Sequence, residues 1–201
     1  SYDIKKLDHK FNTYKNLLLG PGISNNEWSR ETFSIFKNFC QNKNTDKNIV
    51  IDAGFLSLLA VDQFSYDKWV LTPHIGEAAQ LLNTSTKHIQ DNRLDSAKEI
   101  QKIYGGIIIL KGNNTIIQTQ DNSYICTHGN NSMGTAGMGD CLAGTLISLM
   151  SLVNAKDYNN AILYAVALHS MAADNILAKK GKFGILASDV IVEINNLLNN
   201  N

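Results

Sequence analysis

Cysteine is scarce in this 201-residue chain: Cys40, Cys126 and Cys141 are odd in number, widely spaced and form no C-x-x-C. That pattern argues against a disulfide framework or a cysteine zinc site, and a reducing, cytoplasmic setting is expected. Excess charge is missing too, since Lys+Arg 18 balances Asp+Glu 18. A general nucleic-acid or anionic-membrane binder is therefore not expected. Long apolar runs are also absent. Cys141 to Ala155 and Ala161 to Ala173 fall short of the ~17–25 residues of a membrane span. Gly144, Thr145, Ser148 and Ser170 interrupt them. No basic-then-apolar leader follows Ser1, and no repeat or linker divides the chain. One domain over residues 1–201 is expected. Its 44% hydrophobic content is enough to bury a core.

What is present is a set of short apolar runs that stop at turn signals. Leu17-Leu18-Leu19 meets Gly20-Pro21-Gly22, Ile49-Val50-Ile51 meets Asp52, Trp69-Val70-Leu71 meets Thr72-Pro73, and Ile107 to Leu110 meets Lys111-Gly112. These predict buried strands. Helical stripes lie between them: Trp28, Phe33, Phe36, Phe39 and Cys40, then Leu94, Ala97, Ile100, Ile103 and Tyr104. Alternation of this kind predicts an α/β fold, a mainly parallel sheet with helices on both faces. Thr115 to Thr119 and Tyr124 to Thr127, joined through Asp121-Asn122, read as a hairpin. Helices are expected over Met138 to Met150 and from Asp157 to about Ala178. The latter has Ile162, Ala165, Val166, His169, Ala173 and Ile176 on one face. Ser188-Asp189 is expected to cap a last helix from Val190 to Leu198.

Three segments carry chemistry. Gly134-Thr135-Ala136-Gly137-Met138-Gly139-Asp140 opens a helix, and small residues before free N–H groups make an anion cradle, most often for phosphate. Asp140 repels a phosphate there unless it takes a proton from an attacking hydroxyl. The alternative is a glycine-rich turn with an acidic first-turn residue favoured by the helix dipole, and on this segment alone both readings stand. Lys111-Gly112-Asn113-Asn114-Thr115 follows a strand at the end where α/β sheets bind ligands, or is an ordinary strand-to-strand turn. Thr72-Pro73-His74-Ile75-Gly76-Glu77 opens a helix in the same manner. Glu77 there either pairs with the helix dipole or holds metal-bound water. Asp52, alone at a strand end, reads as a turn residue. His169 on its apolar stripe reads as a hydrogen-bonded core histidine. Cys141, beside a helix start that lowers thiol pKa values, reads as a small buried residue.

In combination these segments resemble the ADP/ATP-dependent NAD(P)H-hydrate dehydratases of the ribokinase-like superfamily. The family's G-P-G, D-A-x-x-L, T-P-H-x-G-E, K-G-x-x-T and T-x-G-M-G-D occur in order at Gly20 to Gly22, Asp52 to Leu56, Thr72 to Glu77, Lys111 to Thr115 and Thr135 to Asp140. Leu186-Ala187-Ser188-Asp189 follows near the end. The resemblance implies a ribokinase-like repair enzyme that restores NADH or NADPH from its hydrate, with ADP or ATP as phosphoryl donor and Mg²⁺. By that likeness Asp140 activates the hydrate's hydroxyl, and Gly22, His74 and Asp140 contact the hydrate. Lys111, Gly112, Asn113, Asn114 and Thr115 hold the AMP part of the nucleotide. Thr135, Gly137 and Gly139 meet the phosphates, and Glu77 organises Mg²⁺ through water. A homo-oligomer, tetrameric in many members, is implied as well.

The chain departs from the family pattern in places. Gly54, Ile75 and Ala136 replace a common acidic residue, proline and glycine. A K-G-D-x-G opening and a Y-x-G-A stretch, expected before G-P-G, are not found. A partial chain, a short active form and a non-catalytic nucleotide-binding relic are the readings this leaves. A sugar or vitamin-alcohol kinase of the same superfamily is the rival activity.

Overall fold

A computed structural model describes residues 5–42, 47–181 and 184–199. The four expected strands are present as β1 (Asn16–Leu19), β2 (Asn48–Ile51), β3 (Trp69–Leu71) and β4 (Ile107–Leu110). They run parallel, with Leu18, Val50, Val70 and Ile107 in register. The hairpin follows as β5 (Ile116–Gln118) and β6 (Ser123–Ile125), antiparallel, giving the spatial order β1-β2-β3-β4-β5-β6.

The central strands read as unbroken apolar runs because both faces are covered. Ile49, Ile51, Trp69, Leu71, Ile108 and Leu110 point into one core with Phe33, Phe36, Phe55 and Ile100. That core lies under α2 (Glu27–Asn42), α3 (Gly54–Val61), α4 (Ile75–Leu81), α5 (Thr86–Asp91) and α6 (Arg93–Tyr104), while α1 (Lys5–Thr13) adds Phe11. The alternate residues Val50, Val70 and Ile109 face the opposite core, with Leu142 and Leu146 of α7 (Met138–Ser151) and Ile162 and Val166 of α8 (Tyr158–Lys180). A third cluster joins α7 and α8 to α9 (Ala187–Asn199) through Met138, Leu168, Ile176, Val190 and Ile194. The fold is the expected α/β fold, a mainly parallel sheet with helices on both faces.

Several expectations need correction. α9 begins at Ala187 rather than Val190. Asp189 lies inside its first turn, accepts a hydrogen bond from Leu186 N–H at 3.1 Å and pairs with Lys180. A side chain reaching back from the third helical position caps a helix as well as one placed ahead of it. The proposed stripes are too wide, because Trp28, Leu94 and Ile103 are exposed while their neighbours are buried. α8 has 23 residues, longer than its apolar run, and by length and composition it is able to cross a membrane. More than half of its most apolar 18-residue stretch is buried inside the fold, where it serves two of the three cores.

Candidate active site

The carboxyl ends of β1 to β4 lie side by side along one edge of the sheet, where open α/β sheets take ligands. The chain is crowded there. A Cβ on Gly20 would fall 1.6 Å from the Asp52 carbonyl oxygen, so the G-P-G turn can close on β2 only as glycine. The next residue, Ala53, sits at φ 47°, in the left-handed region that costs a non-glycine residue about 1–3 kcal/mol.

Side chains from three strand ends meet at this edge. Asp52 is buried, not a turn residue: its Oδ1 accepts from Thr72 Oγ1 at 2.8 Å and from Lys111 Nζ at 2.7 Å. The same Nζ lies 3.7 Å from Glu77 Oε2. Glu77 is fixed in turn by a reciprocal cap on α4: its Oε2 accepts from His74 N–H at 2.7 Å, and His74 Nδ1 accepts from Glu77 N–H at 3.1 Å. An Nδ1 that accepts a backbone N–H leaves the ring proton on Nε2, so His74 offers a donor on its exposed side. Its ring lies over Gly76, where a Cβ would come within 2.9 Å of Cε1. That contact explains why the glycine in T-P-H-x-G-E follows the histidine by two positions.

The Lys111 to Thr115 turn has a support that its own sequence does not reveal. Arg93, at the start of α6, donates to the carbonyl oxygens of Asn113 and Leu110. It has no carboxylate partner among the described residues, and burial holds its pKa below the ordinary arginine value. Sequence reasoning did not find Arg93, and its rarity, as one of only two arginines in the chain, is the one signal that marks it.

α7 closes the site from the opposite face. Gly137 stands at φ 84° ahead of it, and the N–H groups of its first turn have no intrahelical acceptors. A Cβ on Gly139 would lie 3.4 Å from Lys111 Nζ and 3.7 Å from Asp52 Oδ2, so the helix start abuts the strand-end ion pair. A cavity of about 590 Å³ opens between these parts. Its lining includes His74, Lys111, Gly112, Asn113, Thr115, Thr135 and Gly139 from the predicted site. Gly22, Glu77, Asn114, Gly137 and Asp140 stand outside the lining. Asp140 is exposed in the first turn of α7, with no hydrogen-bond or ion-pair partner among the described residues.

The inner wall contains His169, which is buried as expected but not fully bonded: its Nε2 has no partner. Burial pushes its pKa down to about 4, against a hydrogen bond with the Met138 backbone that favours the charged form. Burial likewise raises the Cys141 thiol, opposed by a hydrogen bond with Thr145, so this cysteine is an inert core residue rather than an activated one.

A profile of the NAD(P)H-hydrate dehydratase family matches residues 3–196. The chain belongs to this family. The bifunctional NAD(P)H-hydrate repair enzyme Nnr of Coxiella burnetii is 34% identical over 184 residues, which are 91% of this chain and 36% of that protein. The ADP-dependent (S)-NAD(P)H-hydrate dehydratase of Neisseria meningitidis serogroup B is 34% identical over 156 residues, covering 74% of this chain and 52% of its own. The chain thus spans about a third of the length of the bifunctional relatives. Among solved structures, the ADP/ATP-dependent NAD(P)H-hydrate dehydratase of Bacillus subtilis, co-crystallised with ATP/Mg²⁺, superposes with a TM-score of 0.80 at 25% identity. It covers 94% of this chain and 65% of that one. A hydroxyethylthiazole kinase of Pyrococcus horikoshii, at 13% identity and TM-score 0.73, shares the fold, with 98% of this chain and 77% of its own covered.

Proposed function

We propose that this chain dehydrates the S-form of hydrated NADH and NADPH at the expense of ADP or ATP, as a soluble cytoplasmic enzyme built on one ribokinase-like domain. The carrying observation is that T-P-H-x-G-E at the end of β3 and T-x-G-M-G-D at the start of α7 face one cavity, with Lys111 between them.

In this reading Lys111 to Thr115 hold the AMP part of the nucleotide, and Thr135, Gly137 and Gly139 receive the phosphates. Backbone N–H groups aimed at the transferring phosphoryl stabilise its charge without reorganising. Asp140 takes the proton of the hydrate's hydroxyl as that oxygen attacks the terminal phosphorus. The bond to the leaving nucleotide breaks, releasing ADP from ATP or AMP from ADP. The carbon–oxygen bond then breaks with loss of phosphate and a ring proton, restoring the reduced nicotinamide. Gly22 and His74 contact the hydrate, and the Nε2–H of His74 is the donor available to it.

Mg²⁺ fits in one way. Among the described residues no cluster of three or more acidic, histidine or cysteine side chains can hold a metal directly. Mg²⁺ commonly keeps several waters and binds through one or two carboxylates plus phosphates. Oε1 of Glu77 stands outside the reciprocal cap, 3.6 Å from His74 Nε2, and is the oxygen that would take such a water. The ion supplies charge neutralisation on the phosphates.

The test is to supply hydrated NADH with ADP or ATP and Mg²⁺ and to follow the absorbance of the reduced cofactor. Recovery that depends on nucleotide supports the proposal. A stable phosphorylated alcohol instead would mark a kinase, and nucleotide binding without turnover would mark a relic. A homo-oligomer, tetrameric by resemblance, belongs to the same proposal and is read by light scattering.

A further inference from the structure

The segment from His128 to Thr135 makes up much of one cavity wall, yet its only regular structure is a 3-10 turn at Asn131–Met133. A single carboxylate on α8 seats its first half. Asp174 Oδ2 accepts from Gly129 N–H at 2.9 Å, and Oδ1 accepts from Asn130 Nδ2 at 2.9 Å. His128 Nδ1 lies 3.5 Å from Oδ2. The amide of Asn130 is then used at both ends, because its Oδ1 accepts from Ser132 N–H at 3.0 Å and starts the turn. At the far end Thr135 Oγ1 donates to the Ile185 carbonyl at 3.2 Å. Between these ties lie Met133 and Gly134, both on the cavity.

We propose that Asp174 is a positioning residue for the nucleotide: through Gly129 and Asn130 it fixes the 128–135 segment, and with it the approach to the phosphate cradle at Thr135 to Gly139. This rests on the nucleotide reading of the cavity given above. A wall set in place before the ligand arrives spares the ligand the cost of ordering it.

The donor pattern supplies a selective test. Two adjacent donors require two acceptors, which a carboxylate has and an amide has not. Asp174→Asn sets an NH₂ group against one of them. Asn130 cannot relieve the clash by flipping, since its Oδ1 is committed to Ser132. Combining Asn130→Asp with Asp174→Asn restores every match. The amide at 174 donates to the new carboxylate and accepts from Gly129, and the second carboxylate oxygen serves Ser132. Asn130→Asp alone sets two carboxylates against each other.

ADP affinity by calorimetry and the nucleotide KM are to be measured on the parent, both single variants and the exchange. We expect each single variant to lose about tenfold in ADP affinity, to raise the nucleotide KM by a similar factor and to keep kcat within about threefold at saturation. The exchange should return to within about threefold of the parent. Unchanged ADP affinity in folded Asp174→Asn, or an exchange no better than the single variants, overturns the proposal. If Asp174→Asn does not fold, Asn130→Asp against the exchange carries the same comparison. A parent that binds neither ADP nor ATP overturns the nucleotide reading itself, and this proposal with it; a parent that binds ATP alone is put through the same comparison with ATP.

Discussion

The two walls of the site are built on opposite plans. On the strand-end wall, Asp52, Thr72, Lys111, His74 and Glu77 are side chains tied to one another, and most are buried. On the α7 wall the contribution is mostly backbone, and the one acidic side chain, Asp140, is exposed and untied among the described residues. The lone pairs of Asp52 Oδ1 are taken by a lysine and a threonine, so it is suited to holding geometry. Asp140 has its lone pairs open, as a group that exchanges a proton with a ligand must.

The strongest way to break this contrast is Asp140→Asn. The shape stays, the proton acceptor goes, and turnover should fall by about 10²–10⁴-fold. Nucleotide affinity should hold or improve, because a negative charge beside the phosphates has been removed. Near-parental turnover in the folded variant would leave Asp140 as a mere first-turn residue.

Lys111→Met attacks the other wall. It leaves Asp52 buried without its cation, a change that costs about 3–5 kcal/mol. Urea unfolding should show that loss, and adding Asp52→Asn should recover part of it. Additive losses in the double variant would mean the two residues act independently.

The inner wall should fail in acid. His169 has a folded-state pKa of about 4 against an ordinary 6.5, so between these values the unfolded chain takes up a proton that the folded chain refuses. Stability is then full above pH ~6.5 and falls as pH drops through about 4, by on the order of 3 kcal/mol. Denaturant midpoints across pH, compared with His169→Leu, read this out. An acid limb that persists unchanged in the variant assigns it to the carboxylates instead.

The smallest effect sharpens the comparison. His74→Ala should weaken hydrate binding more than ADP binding, by roughly 0.5–1.5 kcal/mol for the lost hydrogen bond. The cap on α4 goes as well, typically ~1 kcal/mol of stability. Equal losses for the two ligands in calorimetry would remove His74 from the hydrate's side of the cavity.

Much of this was legible in the sequence, for local reasons. Strands covered on both faces read as short apolar runs, so β2 to β4, and β1 from Leu17 on, announced themselves and located the turns at their ends. The pairing of Asp52 with Lys111, 59 positions apart, was not legible, because it depends on β3 lying between β2 and β4. Asp52 alone looked like punctuation. Arg93 and Asp174 were missed on the same ground: each holds a distant turn, Arg93 by two backbone carbonyls and Asp174 by a backbone N–H and the Asn130 amide, and such long-range partners leave no mark in local patterns. His169 was rightly placed in the core, but periodicity reports burial and says nothing about an unfilled bond.

One turn of the chain has a practical use. After Lys111 to Thr115 at the ligand edge, β5 runs to the opposite edge of the sheet and β6 comes back. This excursion delivers residues 126–139 to the cavity. Its far tip, Gln120 and Asp121, is exposed and closed by Thr119 N–H to the Asn122 carbonyl at 2.9 Å. That tip is the place for a graft: a dye, an affinity handle or a surface tether attached there sits on the side of the molecule away from the cavity, and the immobilised protein would keep the cavity open to solution.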